Sequence, residues 1–265
     1  MTPYNWLLVP TLLLAGISDA GKVDLKPATT QAFERYIQAL EARLDQRVST
    51  PAFLWMDGDA GRKLHAQRSD VVVEPAVAAG DVEVPEGLLH DWVGAMFVRG
   101  ATLEKVIAMF EDYDNAKNIY KPEVVDSKTL EHTGNNFKVY MRLLKKQVVT
   151  VVLTTTHDVR YVPVDPTHWY SKSYSVRIAE LQNAGKSSES ELPPGHDHGF
   201  LWRLNSYWRF EERDGGVYVE CEAVSLTRNV PTGLGWLINP IIRSLPRQSL
   251  ENTLRSAQKA ALKLR

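Results

Sequence analysis

The chain has 265 residues, with 31 basic and 32 acidic side chains and a formal net charge of −1 at pH 7. At 44% hydrophobic and 24% charged it has the composition of an ordinary globular protein, and its charge balance gives no global pull toward nucleic acid or an anionic membrane. The single cysteine, Cys221, excludes an internal disulfide and a thiolate-rich zinc site.

The first twenty residues, MTPYNWLLVPTLLLAGISDA, carry an apolar run from Trp6 to Ile17, followed by Ser18-Asp19-Ala20. Small residues at such a break are what a signal peptidase accepts, so export to the periplasm or the exterior is expected. No Lys or Arg opens the segment, which leaves a retained anchor or an apolar helix as alternatives. Phe33, Ile37, Leu40 and Leu44 then recur at helical spacing in TTQAFERYIQALEARL, with Thr29 or Thr30 as candidate cap. Residues 49–87 read as a connecting segment, with RSDVVVEP as a short strand candidate.

A regular pattern begins at residue 88. LLHDWVGAMFVRG reads as a strand, and Thr102 as the cap of a helix through LEKVIAMFEDY. Six strand candidates follow, at 123–132, 136–145, 148–162, 168–182, 199–211 and 216–228. Their polar, turn-like breaks predict an antiparallel meander. The chain closes on a helix, PRQSLENTLRSAQKAALKLR, with Leu250, Leu254, Ala257 and Ala261 as its apolar stripe.

Three stretches carry a resemblance: VIAMFEDYDNAKNIYKPEVVDSKTLE, WRFEERDGGVYVECEAVSLTRNVP and VPTGLGWLINPIIRSLPRQSLENTLRSAQKA. Over residues 88–265 the chain resembles the START-like superfamily, which includes StAR-related lipid-transfer domains, polyketide cyclase/dehydrases and birch-pollen allergens. The resemblance implies an α+β helix-grip fold, in which a curved antiparallel sheet of about seven strands wraps a long C-terminal helix. The N-terminal helix is an addition to it. Members of this superfamily mostly bind apolar ligands, and a minority catalyse reactions.

Strand faces then suggest a site. A turn near Asp214-Gly215-Gly216 places Phe210 opposite Val219, Trp208 opposite Cys221 and Ser206 opposite Ala223. That gives one apolar face, with Phe200, Trp202 and Leu204 on it, and one face carrying Arg203, Arg209, Glu220 and Glu222. Turning at Pro163–Thr167 pairs His157 with Ser173, Thr155 with Ser175 and Leu153 with Arg177. His157 and Arg177 then share a face with Tyr161, and an inward Arg177 needs an acidic partner or an anionic ligand. The alternative is a one-residue slip that sends both to solvent. The expected lining is therefore His157, Tyr161, Arg177, Trp202, Ser206 and Trp208.

The stretch GHDHGFLW places His196, Asp197 and His198 together. Its flanking Pro and Gly residues predict a loop, and no spacing diagnostic of a metal site accompanies it, so no metal and no cofactor are expected. No phosphate-binding loop, nucleophile elbow or dinucleotide fingerprint occurs. The last helix carries Arg243, Arg247, Arg255, Lys259, Lys263 and Arg265 against Glu251, a face open to transient membrane contact or merely solvated. The expected partner is a hydrophobic or amphipathic small molecule, such as a lipid, and not nucleic acid. A cyclase- or lyase-type enzyme using His157 or an acid as base, and a packed interaction module, are the alternatives.

Overall fold

The computed structural model describes residues 24–68, 70–77, 80–146, 150–229 and 235–264, the last stretch by backbone alone up to residue 242. The apolar leader expected at 1–20 lies outside the described residues.

Among the described residues, ten strands form one curved, unclosed antiparallel sheet. They are β1 (Val72–Pro75), β2 (Asp81–Val84), β3 (Gly87–Arg99), β4 (Val124–Thr133), β5 (Asn136–Lys146), β6 (Thr150–Asp165), β7 (His168–Gln182), β8 (Ser190–Glu191), β9 (Arg203–Arg213) and β10 (Gly216–Arg228). Their order is β1-β3-β10-β9-β7-β6-β5-β4, with β2 beside β3 and β8 beside β7. Thus β4 to β10 run as the expected meander. The helices α3 (Leu103–Glu111) and α4 (Ala116–Ile119) carry the chain from β3 to the far edge at β4.

The last helix, α5 (Gly235–Ala261), begins eleven residues before Pro246, where the helical sequence is expected to start, and it packs across the inner face of the sheet. Leu250, Leu254, Ala257 and Ala261 are buried there with Met96, Val98, Val139, Val159, Phe210 and Val219. Gly94 allows the close approach: a Cβ there would lie 2.6 Å from Leu254 and 2.9 Å from the Val72 carbonyl. This is the helix-grip arrangement.

The outer face holds what sequence reasoning missed. The helix α1 (Pro27–Val48), with α2 (Ala60–Gln67), covers the part of the sheet built from β3, β10 and β9. Phe33, Ile37, Leu40 and Leu44 bury against Leu89, Val224 and Leu226. The segment 49–87 is therefore a cover, with Phe53, Leu54 and Met56 buried on Ala95, Phe97 and Tyr218, followed by two strands that pair with β3.

Two caps differ from expectation. Pro27 opens α1, two residues before the expected threonines, and Thr29 instead donates to the Pro85 carbonyl at 2.7 Å. Thr102 makes no side-chain cap to α3; the Glu212 carboxylate accepts from the Leu103 amide at 2.6 Å.

Candidate ligand-binding face

Register decides which side chains meet. In the β9–β10 hairpin, Phe210 faces Val219, Trp208 faces Cys221 and Ser206 faces Ala223. Asp214 and Gly215 both take positive φ, the backbone of a tight hairpin turn, which fixes that register. These residues look toward α5. Across β5, β6 and β7 the inner row runs Phe137–Val159–Ser173 and Val139–His157–Ser175. Ser173 in turn pairs with Ser206, and Ser171 with Trp208.

The result is a concave face that is apolar with a polar centre. His157 is 6% exposed and has no hydrogen-bond partner among the described residues. Burial alone pulls its pKa down to about 4, so the ring is neutral at physiological pH. Ser171 Oγ and Trp92 Nε1 are also buried without a partner. Trp208 meets Phe110 edge-on at 4.9 Å. The Tyr113 and Tyr161 hydroxyls lie 3.0 Å apart, and Tyr161 donates to the Phe110 carbonyl at 3.2 Å. Burial pushes both phenols well above their usual range, so they remain neutral. Met141, Ser206, Trp208 and Ala223 point the same way yet stay only partly buried.

Of the six expected lining residues, His157, Tyr161, Ser206 and Trp208 share this face. Arg177 does not. The β6–β7 register is displaced by two residues from expectation, which keeps His157 inward, opposite Ser175. A bulge between Thr156 and His157 then inserts Val176, and Arg177 pairs with Thr156 on the outer face. Its side chain is 54% exposed and donates to Glu191 at 2.8 Å, which holds the Glu191 carboxyl down at about 2. Trp202 is also displaced. Strand pairing starts at Arg203, alternation fails before it, and the ring lies in the cluster under α1.

The His-Asp-His stretch is a stapled loop. The buried Glu180 carboxylate accepts from the His198 amide at 3.0 Å, from His198 Nδ1 at 2.8 Å and from the Phe200 amide at 3.0 Å. Asp197 accepts from the Gly199 amide at 2.8 Å and from Trp202 Nε1 at 3.1 Å. Among the described residues no three His, Cys, Asp or Glu side chains gather as a metal site. No described helix is long and apolar enough to cross a membrane.

Ser171 is a further member of the face, beside Ser173 and Ser175, which the expected pairing already sets opposite His157 and Thr155. Their signal was present as strict alternation in WYSKSYSV, where every second residue is serine. A surface groove of about 350 Å³ is bordered by the outward Lys138, Asp158, Arg160, Lys172 and Tyr174, with Phe137 and Val159 also lining it.

No family model matches the chain, and no curated protein matches it. Among solved structures it is similar to a protein from Thermus thermophilus, at 13% identity and TM-score 0.47, covering 64% of this chain and 96% of that one. It is similar to a STAR-related lipid transfer protein from Xanthomonas axonopodis, at 15% identity and TM-score 0.43, covering 72% and 98%. A third is the ZhuI aromatase/cyclase from a Streptomyces species, at 13% identity and TM-score 0.42, covering 65% and 93%. At these values the likenesses carry no argument about function. The strand order and the gripped helix are those of a helix-grip fold.

Proposed function

We propose that the protein binds a hydrophobic or amphipathic small molecule, of which a lipid is one kind, between the inner face of the sheet and α5. The observation that carries this reading is the polar centre of this face, where Ser171 Oγ and Trp92 Nε1 are buried without a partner and the neutral His157 ring, 6% exposed, has none among the described residues. A buried polar group left unbonded costs about 1–3 kcal/mol. A ligand oxygen that meets it recovers that cost, while apolar burial stabilises by about 25 cal/mol per Å². No observation favours a cyclase or lyase reaction. A histidine held at about 4 is a weak base, and none of the described carboxylates is hydrogen-bonded to it.

Two finer readings belong with this proposal. Residues 1–20 direct export, which N-terminal sequencing of the exported chain tests: a start at Gly21 supports it and a retained leader opposes it. Exchange with a membrane would use the exposed Arg247, Arg255 and Lys259 of α5.

Uptake of the neutral dye Nile red tests the binding site. Saturable uptake weakened by Trp208→Ala and His157→Ala, but not by Arg160→Ala in the outer groove, is the expected result. Uptake lost with Arg160→Ala and kept with both inner variants contradicts the assignment.

A further inference from the structure

We propose that the bound molecule is uncharged, an apolar body whose polar end is a hydroxyl, ketone or ester and not a carboxylate, phosphate or ammonium. This rests on the ligand-binding reading above and narrows it. The centre of the face is made by His157, Ser173, Ser206, Trp208, Met141 and Ala223, and none of these side chains is ionised there.

Charged side chains among the described residues of this face stand at its margins and are matched, except Glu111 near the Tyr113 and Tyr161 hydroxyls, which burial pushes toward its neutral form. Lys145 pairs with Glu123 and donates to Ser249 Oγ at 2.7 Å. Asp81 lies between His90 Nδ1 at 2.6 Å and Arg243 at 2.8 Å. Glu180 is held by the His198 and Phe200 amides, and Glu212 by the Leu103 amide.

An ionised ligand head would therefore lose its water and gain no counter-charge. An uncharged oxygen suits what is present. Ser171 Oγ and Trp92 Nε1 are buried without a partner, and the neutral His157 ring offers one donor and one acceptor. Burial keeps that ring from supplying the positive charge an anion would need.

The test is competition against Nile red on the full chain at neutral pH, with matched pairs: 1-decanol against decanoate, and 2-naphthol against 2-naphthoate. The neutral member of each pair is expected to displace the dye at least about tenfold more strongly, equivalent to ~1.4 kcal/mol. Ser206→Lys, where it folds with the wild-type melting profile, is expected to reverse the preference by placing a cation on the face. Carboxylates that compete as well as or better than their neutral partners on wild-type protein overturn the inference and leave the binding reading standing. Failure of the dye and of all four compounds to bind overturns both.

Discussion

His157 combines burial with the absence of a partner, and its titration makes that measurable. The ring titrates at about 4 in the folded chain against 6.5 ordinarily. Below 6.5 the unfolded chain takes up a proton that the native chain refuses. The group's contribution is therefore fully present above pH 6.5 and is lost as pH falls toward 4, by roughly 3 kcal/mol. Urea unfolding of His157→Gln is expected to lack that component when compared with wild type at each pH; parallel curves would contradict it. Asp91 has the opposite sign. Burial, and then the Glu222 carboxylate, raise its pKa from 3.8, so the native chain holds a proton that the unfolded chain has released. Its effect is to cost stability as pH rises above about 4. Asp91→Asn keeps an oxygen for the Tyr36 hydroxyl, now bonded at 2.6 Å, and removes the charge. It is expected to raise the unfolding free energy at alkaline pH by about 1 kcal/mol or more relative to its effect in acid. Unchanged stability at both ends would refute the assignment. The inward position of His157 was legible in the sequence because strand alternation survives a register error of two residues. Arg177 was misplaced because one bulged residue, Val176, reverses every face beyond it, and nothing in the local sequence marks a bulge there.

Among the elements, α1 was legible as an amphipathic helix, but its partner was not. Arg209, Glu220 and Glu222 alternate as a solvent face would, yet all three are buried. Each finds a partner that a pattern of polarity cannot reveal. Arg47 pairs with Glu220 at 3.0 Å, Arg43 pairs with Glu222, and Arg209 donates to the Leu44 and Phe53 carbonyls. Burial pulls even the Arg209 guanidinium down to about 10. Glu41 adds a second tie, accepting from the Tyr174 hydroxyl at 2.8 Å and the Tyr207 hydroxyl at 3.0 Å. The cover is thus part of the core. Leu40→Ala is expected to lower stability by about 2–5 kcal/mol, read by denaturant unfolding as one cooperative transition. A separate early transition for the N-terminal segment would show instead that α1 is a dispensable addition.

For the molecule as a whole, the meander from β4 to β10 and its last hairpin could be read directly, since Asp214-Gly215 fixes the turn and the turn fixes the pairing, whereas the place of β3 beside β10, and of β1 and β2 beside β3, could not. The consequence of that order is a sheet covered on both sides but by different means. Its outer face at β3, β10 and β9 meets α1 through matched charges and tight apolar packing. Its inner face meets α5 through packing that leaves Met141, Ser206, Trp208 and Ala223 short of full burial. Full burial under α1 on one side and partial burial of these four residues under α5 on the other is the physical basis of the binding reading. Native mass spectrometry of the intact protein, purified from cells without denaturation, tests it most directly. The account predicts one retained small molecule per chain, uncharged and apolar, released on denaturation and lost with Trp208→Ala. An empty wild-type chain that also takes up no neutral apolar compound added in excess would contradict it.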